Sequence, residues 1–556
     1  MQLITFIGFT TLVGIIAYYS TRNTDENSSD GYFLGGRSLT AGVIAGSLLL
    51  TNLSTEQIVG LNGQAYTEGL LVMAWETLAA IAMVVTAMFL LPRYLKGGLT
   101  TVPQFLAKRY DKTTKTITSA LFLSGYVVVL LPIVLYSGAV AFSAMFDIPE
   151  ILNITRTQSL WLCVFGIGII GSIYAVFGGL KAVAVSDTVN AVGLLIGGIM
   201  IPFFGLAYIG DGSISAGFAE LMTNLKTNAP DKLSSIGAAD ASVPFSTIFT
   251  GMMLVQVFYW GTNQAIIQRA LAAKNLEEGQ KGLLLASFIK ILGPLILVVP
   301  GIIAFHIFGD TLEKPDEAYP KLVSQVLPAS LVGFFAAVLF GAILSSFNSA
   351  LNSSVTLFGL DIYKEYFNKK ATEKQVVKAG KTFGVILALL AMFIAPLIDN
   401  APDGLFGYLQ EVNGCYSIPI LTIIVVGYLT TKVPAIAAKI GIISGVVLYS
   451  ISQFILKPSI VTNAVKEATA NGISGAELDF IEATAYPHFL HVMAILFALN
   501  VVIMLIIGRF YPRTEKFQLE YTEQVDITPW KHTKTVGIAV VAIVIFIYVW
   551  FSPMFN

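Results

Sequence analysis

Charged residues and cysteines are both scarce in this sequence. Only 12% of the 556 residues are Asp, Glu, Lys or Arg, about half the share of a soluble globular chain, which is too few to coat a soluble protein of this size. The net charge of −1 excludes the basic surface of a nucleic-acid-binding protein. The two cysteines, Cys163 and Cys415, each lie in an apolar run, which excludes a disulfide scaffold and a four-cysteine zinc site.

Long apolar runs are abundant instead, since 55% of the residues are apolar. A bilayer core needs about 20 apolar residues per helix, and fourteen runs meet that need. They lie near residues 3–19, 39–61, 70–92, 117–146, 159–177, 182–209, 245–267, 283–308, 328–360, 382–400, 405–430, 433–456, 487–508 and 535–552. We expect the first run to be a retained helix, because it has neither a basic start nor a small-residue cleavage site. The sequence predicts an all-α integral membrane protein with fourteen spans.

The distribution of basic residues predicts the orientation of these spans. With the N-terminus outside, the inner segments carry 25 lysines and arginines and the outer segments carry seven. Basic residues favour the cytoplasmic side, so both termini are predicted on the outer side of a cell membrane, the inner membrane if the cell is bacterial. The sequence contains no Walker A loop and no long soluble segment between spans. We therefore expect no ATP motor, no signalling output module and no enzyme activity.

Two runs contain polar interruptions. Residues 51–57 (TNLSTEQ) place six polar side chains in the middle of the second run, and such side chains compete with the backbone for hydrogen bonds. A broken helix in a membrane is tolerated where it lines a cavity, although a polar contact between helices is the alternative. Residues 256–269 interrupt the seventh run in the same way. Two interruptions five helices apart suggest the halves of an inverted repeat.

The ninth run carries a stripe of small and polar residues. Ala342, Ser345, Ser349 and Asn352 lie on one helical face, with Ser346 beside it. Hydroxyl and carbonyl oxygens are the ligands of hard cations, so the stripe indicates a sodium site. Close packing between helices is an equally good interpretation of this pattern alone.

Three of the charged residues inside predicted spans stand out: Glu76, Lys290 and Asp187. Charges in a membrane are costly and usually face water, a ligand or one another. Glu76 and Lys290 are candidates for solute binding, and a purely structural ion pair is the alternative. Asp187 could bind a cation, or could pair with Lys181 or Arg269.

Several segments in this order resemble the sodium:solute symporter family. They are GYFLGGRSL (31–39), LTNLSTEQIVGL (50–61), YAVFGGLKAVAVSD (174–187), YWGTNQAIIQRALAAK (259–274), ILSSFNSALNSSVTLFGLDIYKEY (343–366) and YLQEVNG (408–414). The resemblance implies a LeuT-like fold with a 5+5 inverted repeat, in a single transmembrane domain over 1–556. An extra first helix and linker would occupy 1–38, the repeats 39–209 and 245–430, and three extra C-terminal helices 431–556.

The resemblance also implies the residues of two binding sites. The sodium site would consist of the carbonyls of Leu50, Leu53 and Ala342 and the hydroxyls of Ser345 and Ser346, and it would hold the co-transported ion. Leu61 and Phe406 would form an outer gate, and Tyr259 an inner gate that stacks on the solute. The solute site would comprise Asn52, Gln57, Trp75, Glu76, Gln256, Tyr259, Lys290 and Gln410.

The predicted function is sodium-driven import of a galactose-like or glucose-like monosaccharide, or of a sugar-like polyol. Trp75 stands where a pocket tyrosine is expected and Ala79 where a serine is expected, Gln256 replaces an asparagine, and Leu61 replaces a methionine. These departures leave open an amino acid, a carboxylate or sialic acid as the solute, and a transporter-like sensor is a more distant alternative. We expect no obligate protein partner and no nucleic acid.

Overall fold

The computed structural model describes residues 2–21, 28–312, 314–400 and 405–552, so residues 22–27 of the predicted inner linker lie outside it. The described residues form helices, and their only strand-like pairing is one bridge between Leu39 and Ala273. The α-helices run over Gln2–Thr21, Ser29–Leu34, Ala41–Asn52, Thr55–Glu68, Ala74–Val85, Leu91–Lys96, Val102–Arg109, Lys112–Gly125, Leu131–Met145, Ile148–Leu152, Arg156–Ile209, Ile214–Asn228, Gly251–Gly261, Gln264–Leu271, Leu276–Ile291, Pro294–Leu297, Val299–Phe308, Ala318–Val326, Ala329–Thr356, Glu373–Ile394, Leu405–Leu429, Ala435–Ile451, Lys457–Ala470, Ala476–Thr484, Phe489–Phe510 and Thr533–Trp550.

All fourteen apolar runs coincide with helices, but not all of those helices are long and unbroken. Ten of them, among the described residues, are long and apolar enough to cross a membrane. The pair Leu276–Ile291 and Pro294–Phe308 meets the same test together, with a bend of 46° between its halves. The chain is therefore a multi-pass membrane protein, and the count of fourteen spans stays a prediction. The bend in the eighth run was not anticipated.

The second apolar run is interrupted, as predicted. Its first half, Ala41–Asn52, ends where Leu53 leaves the helical conformation, and its second half begins at Thr55. At the break the Ser54 amide donates to the carbonyl of Asn52 (2.8 Å) instead of continuing the helical ladder. We call these two halves, with Leu53 and Ser54 between them, the first broken helix.

The seventh run is interrupted in a similar way. Helix Gly251–Gly261 ends at Thr262, and helix Gln264–Leu271 begins after Asn263. The Asn263 side chain accepts a hydrogen bond from the Ala265 amide (3.0 Å) and another from the Tyr126 hydroxyl (2.7 Å). The break is thus closed by a side-chain cap and is held by a neighbouring helix. We call this pair of helices the second broken helix.

A third departure from helical geometry separates the fifth and sixth runs. Gly179 has φ 60° and ψ −177° inside the helical stretch Arg156–Ile209, a conformation that only glycine adopts without strain. The predicted boundary between these runs, at residues 178–181, falls at this position.

Helix packing brings the two breaks together. Helix Ala329–Thr356, which we call the serine helix, packs against Arg156–Ile209 and against the first half of the first broken helix. That half also packs against Leu276–Ile291, and the second broken helix packs against Ala74–Val85. The polar interruptions of two separate runs therefore face a common centre.

Candidate functional site

A small cavity lies between the two broken helices. Its lining is Asn52, Gln57, Trp75, Ala79, Val255, Gln256, Tyr259, Trp260, Lys290 and Gln410. Seven of the eight predicted solute-binding residues are in this set, and the eighth, Glu76, contacts Lys290 directly. The free space is about 20 Å³, roughly enough for one water molecule. A larger solute can occupy the cavity only after its side chains move apart.

Lys290 is the central group of the cavity wall. Its ammonium donates to the Glu76 carboxylate and to the Asn52 side-chain oxygen, and it lies 5.6 Å from the centre of the Trp260 ring. The side chains of Glu76 and Lys290 are each only 1% exposed. This ion pair joins helix Leu276–Ile291, helix Ala74–Val85 and the end of the first half of the first broken helix.

Gln57 completes this hydrogen-bonded cluster from the far side of the break. With its amide oriented to suit its neighbours, its nitrogen donates to Glu76 Oε1 (3.3 Å) and to Asn52 Oδ1 (3.2 Å), and its oxygen accepts from Asn52 Nδ2 (3.1 Å). The two halves of the first broken helix thus share one polar network around Glu76 and Lys290.

Gln256 and Trp260 of the second broken helix form one wall of the cavity together with Trp75. Gln256 donates to the carbonyl of Trp75 (2.7 Å), while the indole nitrogen of Trp75 is buried without a hydrogen-bond partner. A buried, unpaired donor beside a cavity is free to bind a ligand. Trp260 and Val255 were missed by the sequence interpretation. For Trp260 the available signal was its place next to Tyr259 in the YWG segment.

The predicted gate residues lie at two sides of the cavity. Phe406 is 1% exposed and meets Trp75 edge to face, with ring centres 5.1 Å apart. It rests on Gly60, where an added Cβ would lie 2.7 Å from the Phe406 Cβ. Leu61 beside it is fully buried, and Tyr259 is half-buried. In this conformation Phe406 is buried against Trp75, which lines the cavity.

The predicted sodium ligands converge at the break of the first broken helix. In a continuous helix the amides of Ser54 and Gln57 would bond to the carbonyls of Leu50 and Leu53. Here the Ser54 amide bonds to Asn52 and the Gln57 amide to Ser54. The break therefore frees the two backbone carbonyls that the family resemblance implies as ligands.

Two serines of the serine helix face this break. The Ser346 hydroxyl donates to the carbonyl of Thr51 (3.0 Å), which leaves its oxygen lone pairs available for a cation. The Ser345 hydroxyl is buried beside the Asp187 carboxylate. Ala342 lies one turn earlier on the same helix and is fully buried. An arrangement of hydroxyls and free carbonyls suits a hard cation such as sodium.

Asp187 pairs with Arg269 and not with Lys181. Its carboxylate accepts from the Ser47 hydroxyl (2.7 Å) and lies 3.9 Å from the Arg269 guanidinium. Arg269 in turn donates to Ser47 (3.1 Å) and to Ser349 of the serine helix. This buried network connects both broken helices to the serine helix and to Arg156–Ile209.

Comparison with known proteins defines the family. The family model for the sodium:solute symporter family matches residues 32–445 of this sequence. An uncharacterised symporter of Escherichia coli, YidK, is 46% identical over 99% of this chain and 90% of its own length. The chain belongs to the sodium:solute symporter family.

Two further relatives carry names that state a solute. The sodium/glucose cotransporter of Vibrio parahaemolyticus is 32% identical over 78% of this chain and 81% of its own length. The human sodium/myo-inositol cotransporter 2 is 29% identical over 80% of this chain and 68% of its own length.

Solved structures support the fold. A sodium-coupled sialic acid symporter in a substrate-bound, outward-open state matches with a TM-score of 0.70, 17% identity, and coverage of 93% of this chain and 99% of that one. Mhp1, a nucleobase-cation-symport-1 transporter, matches in a closed conformation with a TM-score of 0.53, 13% identity, and coverage of 86% and 95%. The fold is that of the LeuT-like transporters, as expected.

Proposed function

We propose that this protein is a sodium-coupled secondary symporter that imports a monosaccharide or a sugar-like polyol by alternating access. The cavity between the two broken helices carries this proposal. Its amides, indole and charged groups supply both hydrogen-bond donors and acceptors, which a polyhydroxy solute requires. The half-buried Tyr259 ring adds an aromatic face for the apolar side of a sugar ring.

The charge of the cavity favours a neutral solute. Lys290 is the lysine of the cavity lining, and its charge is balanced by direct contact with Glu76. An anionic solute, such as a carboxylate or sialic acid, would have to compete with Glu76 for this ammonium. The relatives named for glucose and myo-inositol agree with a neutral polyol. Amino acids and acids remain the alternative solutes on the same fold.

Sodium is proposed to bind at the break of the first broken helix. Its ligands would be the carbonyls of Leu50, Leu53 and Ala342 and the hydroxyls of Ser345 and Ser346. Bound there, the ion would fix the distance between the first broken helix and the serine helix. It would thereby organise Asn52, which precedes Leu53, and Gln57, which bonds to Asn52, for the solute. Asp187 would add negative charge near this site, partly compensated by Arg269.

The mechanism places two inverted repeats, over 39–209 and 245–430, around these sites. Phe406 and Leu61 would open the path to the outside, and Tyr259 the path to the inside. Both termini would lie outside, in the inner membrane of a bacterial cell. Solute and ion would be released inward after the outer gate closes.

Reconstitution in liposomes tests this function. Purified protein is given a panel of labelled hexoses, inositol, sialic acid and amino acids, with an inward sodium gradient or with potassium in its place. We expect sodium-dependent accumulation of a neutral sugar or polyol. Accumulation of sialic acid or an amino acid instead would replace the solute assignment, and solute uptake indifferent to sodium would contradict symport.

A further inference from the structure

A second groove lies far from the solute cavity, between the end of the ninth apolar run and the start of the tenth. It has a volume of about 450 Å³ and is open on one side. Helix Glu373–Ile394 forms one wall, and the helical segment Leu357–Phe367 forms the other. The lining is Phe358, Tyr363, Phe367, Gln375, Lys378, Ala379, Thr382, Phe383 and Ile386. We call it the lysine groove.

Stacked aromatic side chains form much of the walls of the lysine groove. Phe358 and Phe383 stack across it with ring centres 4.0 Å apart and planes 10° from parallel. Tyr363 and Phe367 stack along its other edge at 6.3 Å. Phe367 is nevertheless 72% exposed. Exposed aromatic rings at the end of a membrane helix are typical of the interface between lipid and water.

The rim of the lysine groove carries an excess of positive charge. Residues 364–381 contain six lysines and two glutamates, and Glu365 is already paired with Lys112 and Lys115. Lys374 and Lys378 are exposed, and neither forms an ion pair with any residue that the structure describes. Basic clusters at the cytoplasmic end of membrane helices attract anionic lipids, and the proposed orientation places this segment on that side.

One face of helix Glu373–Ile394 changes character along its length. It begins with polar groups at Gln375, Lys378 and Thr382, which line the groove. It continues through Ile386 to an exposed apolar stripe of Leu389, Leu390 and Phe393, each at least 46% exposed. Helical spacing places these residues in one continuous row. The row therefore offers cationic groups at one end and an apolar track at the other.

We propose that the lysine groove binds an anionic phospholipid, with its phosphate at Lys374 and Lys378 and one acyl chain along the track that starts at Ile386. Charge complementarity selects the headgroup, and the exposed apolar row accommodates the chain. The lipid would lie against the end of the serine helix, because Leu357–Phe367 continues that helix without interruption. It would thus contact an element that carries three of the proposed sodium ligands, Ala342, Ser345 and Ser346.

Native mass spectrometry of the purified full-length chain tests the proposal. Retention of phosphatidylglycerol is compared with that of phosphatidylcholine. The double variant Lys374→Gln/Lys378→Gln should bind phosphatidylglycerol at least tenfold more weakly, since each lysine near an anionic headgroup contributes about fivefold in affinity. The matched control, Lys226→Gln/Lys466→Gln, removes two exposed lysines from helices Ile214–Asn228 and Lys457–Ala470 and should have no effect. The charge-preserving Lys374→Arg/Lys378→Arg should retain binding and shows that the site tolerates substitution.

A second arm separates a lipid from a free anion. Ile386→Gln interrupts the apolar track without touching the lysines, so it should weaken phosphatidylglycerol binding and leave competition by inorganic phosphate unchanged. Equal retention of both lipids, or no loss in the Lys→Gln double variant, overturns the proposal. If inorganic phosphate binds and Ile386→Gln does not change the affinity for phosphatidylglycerol, the groove is a site for a soluble anion instead.

Discussion

The Glu76–Lys290 pair is a buried ion pair at the edge of the cavity, and its proposed role is recognition of the solute more than stability. A buried ion pair rarely adds net stability, because the cost of removing both ions from water is close to the gain from their attraction. Here the pair also holds Asn52, and Gln57 bonds to the same cluster. A solute hydroxyl could replace one of these contacts at little cost, since each partner would keep another hydrogen bond. We therefore interpret the pair as a preformed polar wall.

Variants of this pair distinguish recognition from structure. Lys290→Met or Glu76→Ala should lower thermal stability, because loss of one partner from a buried pair costs about 3–5 kcal/mol. Glu76→Gln/Lys290→Met should regain most of that stability yet still bind the solute at least tenfold more weakly, as expected from losing charged hydrogen bonds of about 1.5–3 kcal/mol. Melting in detergent and uptake into liposomes measure the two effects. A stable double variant with normal solute affinity would make the pair a scaffold.

Ser346 provides a test of the proposed sodium site. Ser346→Ala removes one ligand oxygen and should raise the sodium concentration for half-maximal uptake about tenfold, which corresponds to about 1.4 kcal/mol, with the order of preferred solutes unchanged. Ser354→Ala is the matched control. That buried hydroxyl lies about two turns beyond Ser346 on the same helix, and it bonds to the Ala350 carbonyl of its own helix (2.8 Å). Identical sodium dependence in Ser346→Ala and the unmodified protein would remove Ser346 from the site.

The first broken helix contributes to the proposed sodium site, the solute cavity and the proposed outer gate. Its break frees the carbonyls of Leu50 and Leu53, its second half supplies Gln57, and Gly60 forms the surface on which Phe406 rests. The far end of the second half is also held, since Lys232 donates to the carbonyls of Tyr66 (2.9 Å) and Thr67 (2.6 Å). Movement of this half would therefore act on ion, solute and gate together.

A methyl group at Gly60 should open the gate. The added Cβ would lie 2.7 Å from the Cβ of Phe406, so Phe406 and the helix start that carries it must shift away from Gly60. We expect Gly60→Ala to increase severalfold the rate at which a water-soluble reagent labels a cysteine introduced by Ala79→Cys, in a background of Cys163→Ser and Cys415→Ser. Gly42→Ala on the first half is the control, because its Cβ meets nothing within 4 Å. An unchanged labelling rate would show that Phe406 does not control entry.

The breaks were predicted from the sequence, whereas the bend was not. Six polar side chains in seven residues identify the interruption near Ser54, because no apolar surface can accept them in a regular helix. The bend before Pro294 also has a signal, since Gly293 and Pro294 follow each other inside an apolar run and a proline ends or kinks a helix, but the sequence prediction did not use it. Likewise, helical spacing places Ser345 and Ser349 on one face but does not specify which helix they meet.

Considered as one molecule, the transporter should alternate between two accessible states. With Cys163 and Cys415 replaced by serine, single cysteines at Phe406 and at Tyr259 probe opposite sides of the cavity. Addition of sodium and the transported solute should change their reactivities in opposite directions, because closure on one side accompanies opening on the other. The cysteine introduced by Leu429→Cys, at a highly exposed position, serves as the control. Parallel changes at both gate positions would contradict alternating access.

The sequence identified most of the residues that line the cavity but not the contacts between them. Glu76 and Lys290 were recognisable because charges inside apolar runs are rare, but the sequence did not show that they contact each other, and this contact is compatible with both solute binding and a structural ion pair. Asp187 illustrates the opposite case: three partners were compatible with its position, and tertiary packing selected Arg269. Trp260 gave no signal of its own, since a tryptophan in an apolar run usually belongs to the core. Contacts between distant helices decide these assignments, and local patterns do not encode them.

The tightness of the closed cavity has a consequence for energy conservation. A space of about 20 Å³ cannot hold an ion with its hydration shell, and Glu76, Lys290, Asn52 and Gln57 already bond to one another. Under the proposed mechanism, a sodium ion without its solute would meet a dry barrier made of Phe406, Trp75 and the Glu76–Lys290 cluster. Such a barrier would suppress the passage of sodium during the periods when no solute is bound. The groups proposed to recognise the solute would therefore also prevent uncoupled sodium leakage across the membrane.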